Sequence, residues 1–192
     1  MSEPTLEQII LTLGYTQQWA EAGVIDETSV RSQFETYVLS DDKNGEHYRH
    51  CAFAGYLREK ERLSDHEVQC LLALEDRGDD GVNLEVSRAI MILDSELLTD
   101  QQLADLAEHP AVAHSAARRL YLRHLVLRRL RRESMSSSLF EVIQGCDDEA
   151  VQRAALERDD LAREHVEWLA LEGRNRRVRN IARQRLTRFR DG

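Results

Sequence analysis

Apolar residues recur along most of the chain at intervals of three and four, the spacing of helices that each bury one stripe. After Asp26, the residues Val30, Phe34, Tyr37 and Val38 fall at i, i+4, i+7 and i+8 and predict one helix face, and Trp19 and Gly23 close the helix before it. Four polar residues are each followed three positions later by Glu or Gln: Thr5 with Gln8, Ser64 with Glu67, Thr99 with Gln102, and Ser138 with Glu141. In such a pair each side chain satisfies an orphan N–H of a helix's first turn, so each predicts a helix start. The polar stretch Ser40 to Gly45 reads as an exposed loop, either a boundary after an N-terminal helical pair or a long turn. Two prolines and nine glycines in 192 residues argue for long helices over many short strands.

From Ser64 onward the pattern repeats. Short helices with paired apolar residues (Leu71 and Leu72, Leu103 and Leu106, Val142 and Ile143, Val166 and Leu169) are each followed by a second helix. The second helices open alike: Val86-Ser87-Arg88-Ala89-Ile90, Val112-Ala113-His114-Ser115-Ala116, Val151-Gln152-Arg153-Ala154-Ala155 and Val178-Arg179-Asn180-Ile181-Ala182. Positions i, i+3 and i+4 share a helix face, and small side chains there let a neighbouring helix approach closely. A helix pair of this kind buries its apolar faces only by stacking on others, which predicts an α-solenoid.

These segments resemble the HEAT-like repeat family, in particular its short bacterial variety with an acidic turn, Val-Arg and alanines. Asp147 to Ala155 and Arg177 to Ala182 match best. The resemblance implies an all-α, armadillo-like fold: a right-handed superhelix of stacked antiparallel helix pairs, with about ten or eleven helices in the whole chain. Residues 1–62 are expected to form a helical N-terminal cap and residues 63–192 the repeats, as one continuous domain. Most members of the family are scaffolds or binding surfaces. Some are hydroxylases that bind two irons through several His-Glu dipeptides, but here only His66-Glu67 has that order, so those ligands are not carried over.

Charge changes this picture by dividing it. Net charge is -9, yet residues 1–112 carry 8 basic and 23 acidic side chains, and residues 113–192 carry 18 and 12. An acidic protein with a basic C-terminal part is not a general nucleic-acid binder. No window approaches the ~20 apolar residues of a membrane span, and Met1-Ser2-Glu3-Pro4 lacks the order of a signal peptide, so a cytoplasmic location is expected. The widely spaced Cys51, Cys70 and Cys146 suit reduced thiols.

Three groups of residues invite chemistry. His47 with Cys51 and His66 with Cys70 are i, i+4 pairs, and two such helices side by side would offer four ligands for a metal; His50 lies close in sequence. In the last helix Arg176, Arg179, Arg183 and Arg190 fall within about 60° of arc, opposite Val178, Ile181, Ala182, Leu186 and Phe189. In the helix expected after Pro110, Arg118, Arg129 and Arg132 belong to a group of arginines spread round the axis, with Trp168, Tyr121 and Phe189 as the aromatics nearest to these basic stretches. The acidic pairs Asp79-Asp80, Asp147-Asp148 and Asp159-Asp160 sit between expected helices, where they favour the N-terminal end of the next helix.

The expectation is therefore a non-enzymatic scaffold, without cofactor, that binds a protein partner along a solenoid surface. Nucleic-acid binding through the C-terminal arginines, with base modification of the HEAT-like sort, is the alternative. A metal-dependent enzyme ranks last. The charge division also allows head-to-tail self-association.

Overall fold

The computed structural model describes residues 4–41, 43–77 and 82–189. Within them the chain is all-helical: thirteen α-helices, one 3-10 turn and no strand. None of these helices is long and apolar enough to cross a membrane. Two compact units are formed, Met1–Ala117 and Arg118–Gly192. The division falls between the last acidic and the first basic stretch, so the first unit carries the 8 basic and 23 acidic side chains and the second the 18 and 12.

The first unit contains α1 (Leu6–Thr12), α2 (Gln17–Glu21), α3 (Glu27–Leu39), α4 (Gly45–Arg58), α5 (Asp65–Leu72), α6 (Val82–Asp94), α7 (Asp100–Asp105), the 3-10 turn Leu106–Glu108 and α8 (Pro110–Ala113). Thr5, Ser64 and Thr99 cap α1, α5 and α7 with the reciprocal boxes expected. A further box, Asp26 with Ser29, starts α3. The stripe on α3 fades along its length: Val30 is buried, Phe34 and Tyr37 are half-buried, and Val38 is exposed. The helix expected to run on from Pro110 is broken at His114, whose extended backbone ends α8. The reason is local. His109 and His114 each turn Nδ1 to accept a backbone N–H two residues on, from Ala111 at 3.3 Å and Ala116 at 3.5 Å, a capping use of histidine that hydrophobic spacing does not reveal. This break and the short α1 and α2 raise the helix count above the ten or eleven expected.

Trp19 organises the N-terminal packing. Its ring meets Tyr15 and Phe53 edge-on at 5.1 and 6.2 Å, and its indole N–H donates to the Glu75 carbonyl at 3.0 Å. Thr16 donates to the same carbonyl, and Gln18 accepts from the Glu75 N–H at 2.9 Å. Helix-forming residues before 62 are thus bonded to the chain after 63. The change of organisation expected at 62/63 lies inside one packed unit.

The second unit contains α9 (Ser115–Arg132, which opens at the division), α10 (Ser137–Cys146), α11 (Glu149–Leu156), α12 (Arg163–Glu172) and α13 (Arg176–Arg188). One core runs through all five, built on Val126, Leu130, Leu139, Ile143, Val151, Ala155, Val166, Leu169, Val178 and Ala182. Val151 with Ala155 and Val178 with Ala182 occupy the small-residue positions expected of close helix contacts, and α11 packs on α13. The start of α10 differs from expectation. Ser136, not Ser138, is the cap, because its Oγ reaches the Leu139 N–H at 3.2 Å, which leaves Ser138 and Glu141 inside the helix.

Within this unit α13 repeats α11 in detail. Asp148 caps α11 and Asn175 caps α13. Arg158 donates to the carbonyls of Leu130 and Glu133 at the end of α9, and Arg185, its equivalent, donates to those of Leu156 and Arg158 at the end of α11. A helix C-terminus presents carbonyls with no partner and a partial negative charge, and a guanidinium answers both. Each arginine fastens its own repeat to the helix end before it.

Candidate functional site

Of the arginine stripe expected on α13, Arg179 is not free: it donates to the Gly173 carbonyl at 2.7 Å and helps close the turn from α12. Arg176 and Arg183 are exposed and have no protein partner among the described residues. Arg190 lies outside the described residues. On α9, Arg129 forms a two-pronged ion pair with Glu133 at 2.9 Å, and Arg118 lies over the Tyr121 ring at 5.1 Å, while Arg132 is exposed. Among the described residues the expected basic stripe on α13 therefore reduces to two available cations, Arg176 and Arg183. Of the aromatics, Tyr121 is buried, Trp168 is half-buried edge-on to Phe140, and Phe189 is 40% exposed.

The acidic pairs have unequal duties. Asp148 accepts from Ala150 and Val151 as a helix cap, whereas Asp147 closes α10 in a left-handed conformation and pairs with Arg174 at 2.8 Å. Asp160 does not serve the helix after it. It pairs with Arg158 and accepts from the Met135 N–H, which hold its carboxyl well below the usual range, at about 2. Asp79 and Asp80 lie outside the described residues.

The histidine and cysteine pairs form, with Cys51 Sγ 3.7 Å from His47 and Cys70 Sγ 3.5 Å from His66. The two pairs do not combine. Among the described residues no three or more His, Cys, Asp or Glu side chains come together to hold a metal, so the four-ligand arrangement is not made. Each pair is an i, i+4 contact on its own helix. Glu67 is also committed: it accepts from Ser64, from Tyr56 at 2.9 Å and from Lys60 at 2.6 Å. With Lys60 as the largest influence, its carboxyl is held down at about 2.

A buried ion cluster holds the first unit. Asp76, 2% exposed, faces Arg88 and Arg49; Arg49 Nε lies 2.9 Å from Oδ1, out of line for a hydrogen bond. Arg49 also donates to the Leu13 carbonyl at 2.7 Å, and Arg88 to that of Leu74, just beyond the end of α5. Gly14, at a φ of 77°, leaves the space the Arg49 guanidinium fills, since a Cβ there would overlap it. This cluster is a framework, with its carboxylate and carbonyls turned inward.

The surface that the sequence does not display is a half-open groove of about 380 Å³ in the first unit. Val68 and Leu72 of α5 and Leu106 of the 3-10 turn are its buried apolar floor, and Gln69 and Ala73 also line it. Asp65, Glu85 and Asp105 line it from α5, α6 and α7, together with His109. Gln102 sets the spacing. It is buried, its Oε1 accepts from the Thr99 N–H, and its Nε2 donates to the Leu63 carbonyl at 2.9 Å and to Asp65 at 2.7 Å. A residue expected only as a helix cap thus bolts the start of α7 to the start of α5 and fixes two of the three carboxylate-bearing walls. Asp105 accepts from Gln101 at 2.8 Å, and Glu85 has no protein partner among the described residues.

No protein-family model matches the chain, and neither a curated protein nor a solved structure does.

Proposed function

We propose that the protein is a non-enzymatic interaction module, a short HEAT-like solenoid that binds a protein partner in the cytoplasm. The arrangement of pairs supports the solenoid reading: α5 packs on α6, α10 on α11 and α12 on α13, while the second helices meet each other, α6 on α8 and α11 on α13. The recurrence of cap, small residues and C-terminal arginine from α11 to α13 supports it further, because within the second unit each repeat then rests on the one before it. The observation that carries the binding reading is the groove, an apolar floor ringed by carboxylates on three separate elements. Such concave, mostly apolar surfaces with a few placed polar groups are where proteins hold ligands and partner side chains.

The test is capture from cell extract with the native chain and with Ala73→Phe, which places a ring in the groove from an exposed position. A protein retained by the native chain, resistant to nuclease and lost with Ala73→Phe, is the expected outcome. Equal retention by both contradicts the reading.

One observation favours a second reading. Arg176 remains available on α13, where it lines a shallow depression with Arg177, Asn180 and Gln184, and Arg183 is exposed on the same helix. Nucleic-acid binding there predicts affinity that falls steeply with salt and a smaller salt slope for Arg176→Gln with Arg183→Gln. A titration at low salt without binding removes it.

A further inference from the structure

We infer that the groove of the first unit receives a basic segment of the partner protein. An arginine or lysine of that segment lays its methylene stem on Val68, Leu72 and Leu106, and its charged head meets Asp65, Glu85 and Asp105. The inference rests on the interaction-module reading and names the chemistry of the partner.

Three features carry it. The first is the combination of an apolar floor with anionic walls, which suits the side chains that are themselves apolar along the stem and cationic at the tip. The second is that the carboxylates face the groove from α5, α6 and α7, so they are not neutralised as i, i+4 partners of cations on their own helices. Among the described residues no side chain able to carry positive charge lines the groove apart from His109, whose Nδ1 is occupied as an acceptor from Ala111. Carboxylates that share a low-dielectric cleft reinforce each other's field, which draws in and orients a cation. The third is the position of Asp105 in the last turn of α7, where helix carbonyls already concentrate negative charge. Its charge is unfavourable at that end of the helix, although its side chain also accepts from Gln101 one turn earlier.

Other occupants fit less well. A metal ion lacks a cluster of ligands among the described residues. A phosphate or nucleic-acid backbone meets carboxylates of its own sign. A second copy would have Arg176 and Arg183 of α13 to offer to three carboxylates, since Arg179 and Arg185 are already bonded to main-chain carbonyls. A volume of about 380 Å³ accommodates one or two long side chains, the scale of a short linear segment and not of a whole domain face.

The experiment uses the full chain and two labelled peptides of about 15 residues that differ only in charge, one with arginines and leucines on one helical face and one with glutamates replacing the arginines. Fluorescence anisotropy is expected to show the basic peptide binding and the acidic one not, with affinity falling about fivefold or more when salt rises from low to physiological. The double variant Glu85→Gln with Asp105→Asn is expected to weaken binding at least about tenfold, and Ala73→Phe similarly. Glu35→Gln, on an exposed part of α3 away from the groove lining, removes a like charge and is expected to leave binding within about twofold. Circular dichroism melting confirms that each variant is folded. Absence of binding, equal binding of both peptides, or an equal loss with Glu35→Gln overturns the inference. A salt-sensitive dimer seen by light scattering, which competes with the peptide and is lost with Arg183→Glu, overturns it in favour of a second copy. Capture of a protein partner that survives the double variant overturns this inference alone and leaves the interaction-module reading standing, whereas failure of both assays removes both.

Discussion

The two units use charge in opposite ways. In the acidic first unit two cations are inside: Arg49 and Arg88, 6% and 8% exposed at the side chain, converge on Asp76, and carboxylates are left to line a groove. In the basic second unit several arginines lie partly at the surface yet are bonded to the fold, since Arg158, Arg174, Arg179 and Arg185 all donate to backbone carbonyls. A unit's net charge therefore does not say which of its charges are available. Part of the excess of arginine in the second unit is a way of finishing helices, whereas part of the excess of acid in the first, at the groove, has no cation paired with it among the described residues.

This contrast is most severely disturbed at Asp76. Asp76→Ala leaves two buried guanidiniums facing each other, and removing one partner of a buried pair costs about 3–5 kcal/mol against a total stability of about 5–15 kcal/mol. Urea denaturation is expected to show the loss, and hydrogen exchange to place it in the first unit. A smaller effect is expected from Arg158→Ala. Its charge-assisted bonds to the end of α9 are partly exposed, so about 1–2 kcal/mol is expected, measured in the second unit by the same methods. Arg158→Lys is not expected to restore it, because an ammonium lacks the fork that spans two carbonyls and Asp160. If Arg158→Ala proved more damaging than Asp76→Ala, the contrast between a buried and a surface use of charge would fail.

Acid bears on both units, because among the described residues Glu67 in the first and Asp160 in the second are strongly lowered carboxyls. Their folded pKa values, both about 2, lie below the ordinary 4.5 and 3.8, so the unfolded chain binds protons first as pH falls. The stabilisation from both is complete above about pH 5 and is lost progressively towards pH 2. Glu67→Gln keeps a capping group but loses the Lys60 ion pair, which is expected to cost about 0.5 kcal/mol at pH 7 and to flatten the acid limb in thermal melts. The smallest effect is expected at Asp105. Asp105→Asn removes a charge from the wrong end of α7, so melting is expected to show no loss, or a gain of a few tenths of a kcal/mol.

Much of this architecture is legible along the chain because capping and small-residue packing are local. Thr5, Ser64 and Thr99 announce their helices, and Val151, Ala155, Val178 and Ala182 announce a contact face. What escapes are uses of side chains that depend on a distant backbone. Nothing near Arg158 in sequence points to Leu130, and nothing near His114 marks it as a helix-breaking cap. The groove is hidden for the same reason. Asp65, Glu85 and Asp105 are widely separated along the chain, each innocuous on its own helix, and Gln102 brings two of their elements together through bonds that reach back 39 and 37 positions. The charge imbalance over residues 1–112 is the one visible signal, and it gives the sign of the surface but not its place.

Chemical-shift mapping with the arginine-bearing peptide at low salt interrogates the groove itself. Saturable shifts are expected, confined to the backbone of Asp65, Gln69, Ala73, Glu85, Gln102, Asp105 and their immediate neighbours. Shifts scattered over the exposed acids of α1 and α3, or centred on α13, would refute an acidic groove built to receive a cation.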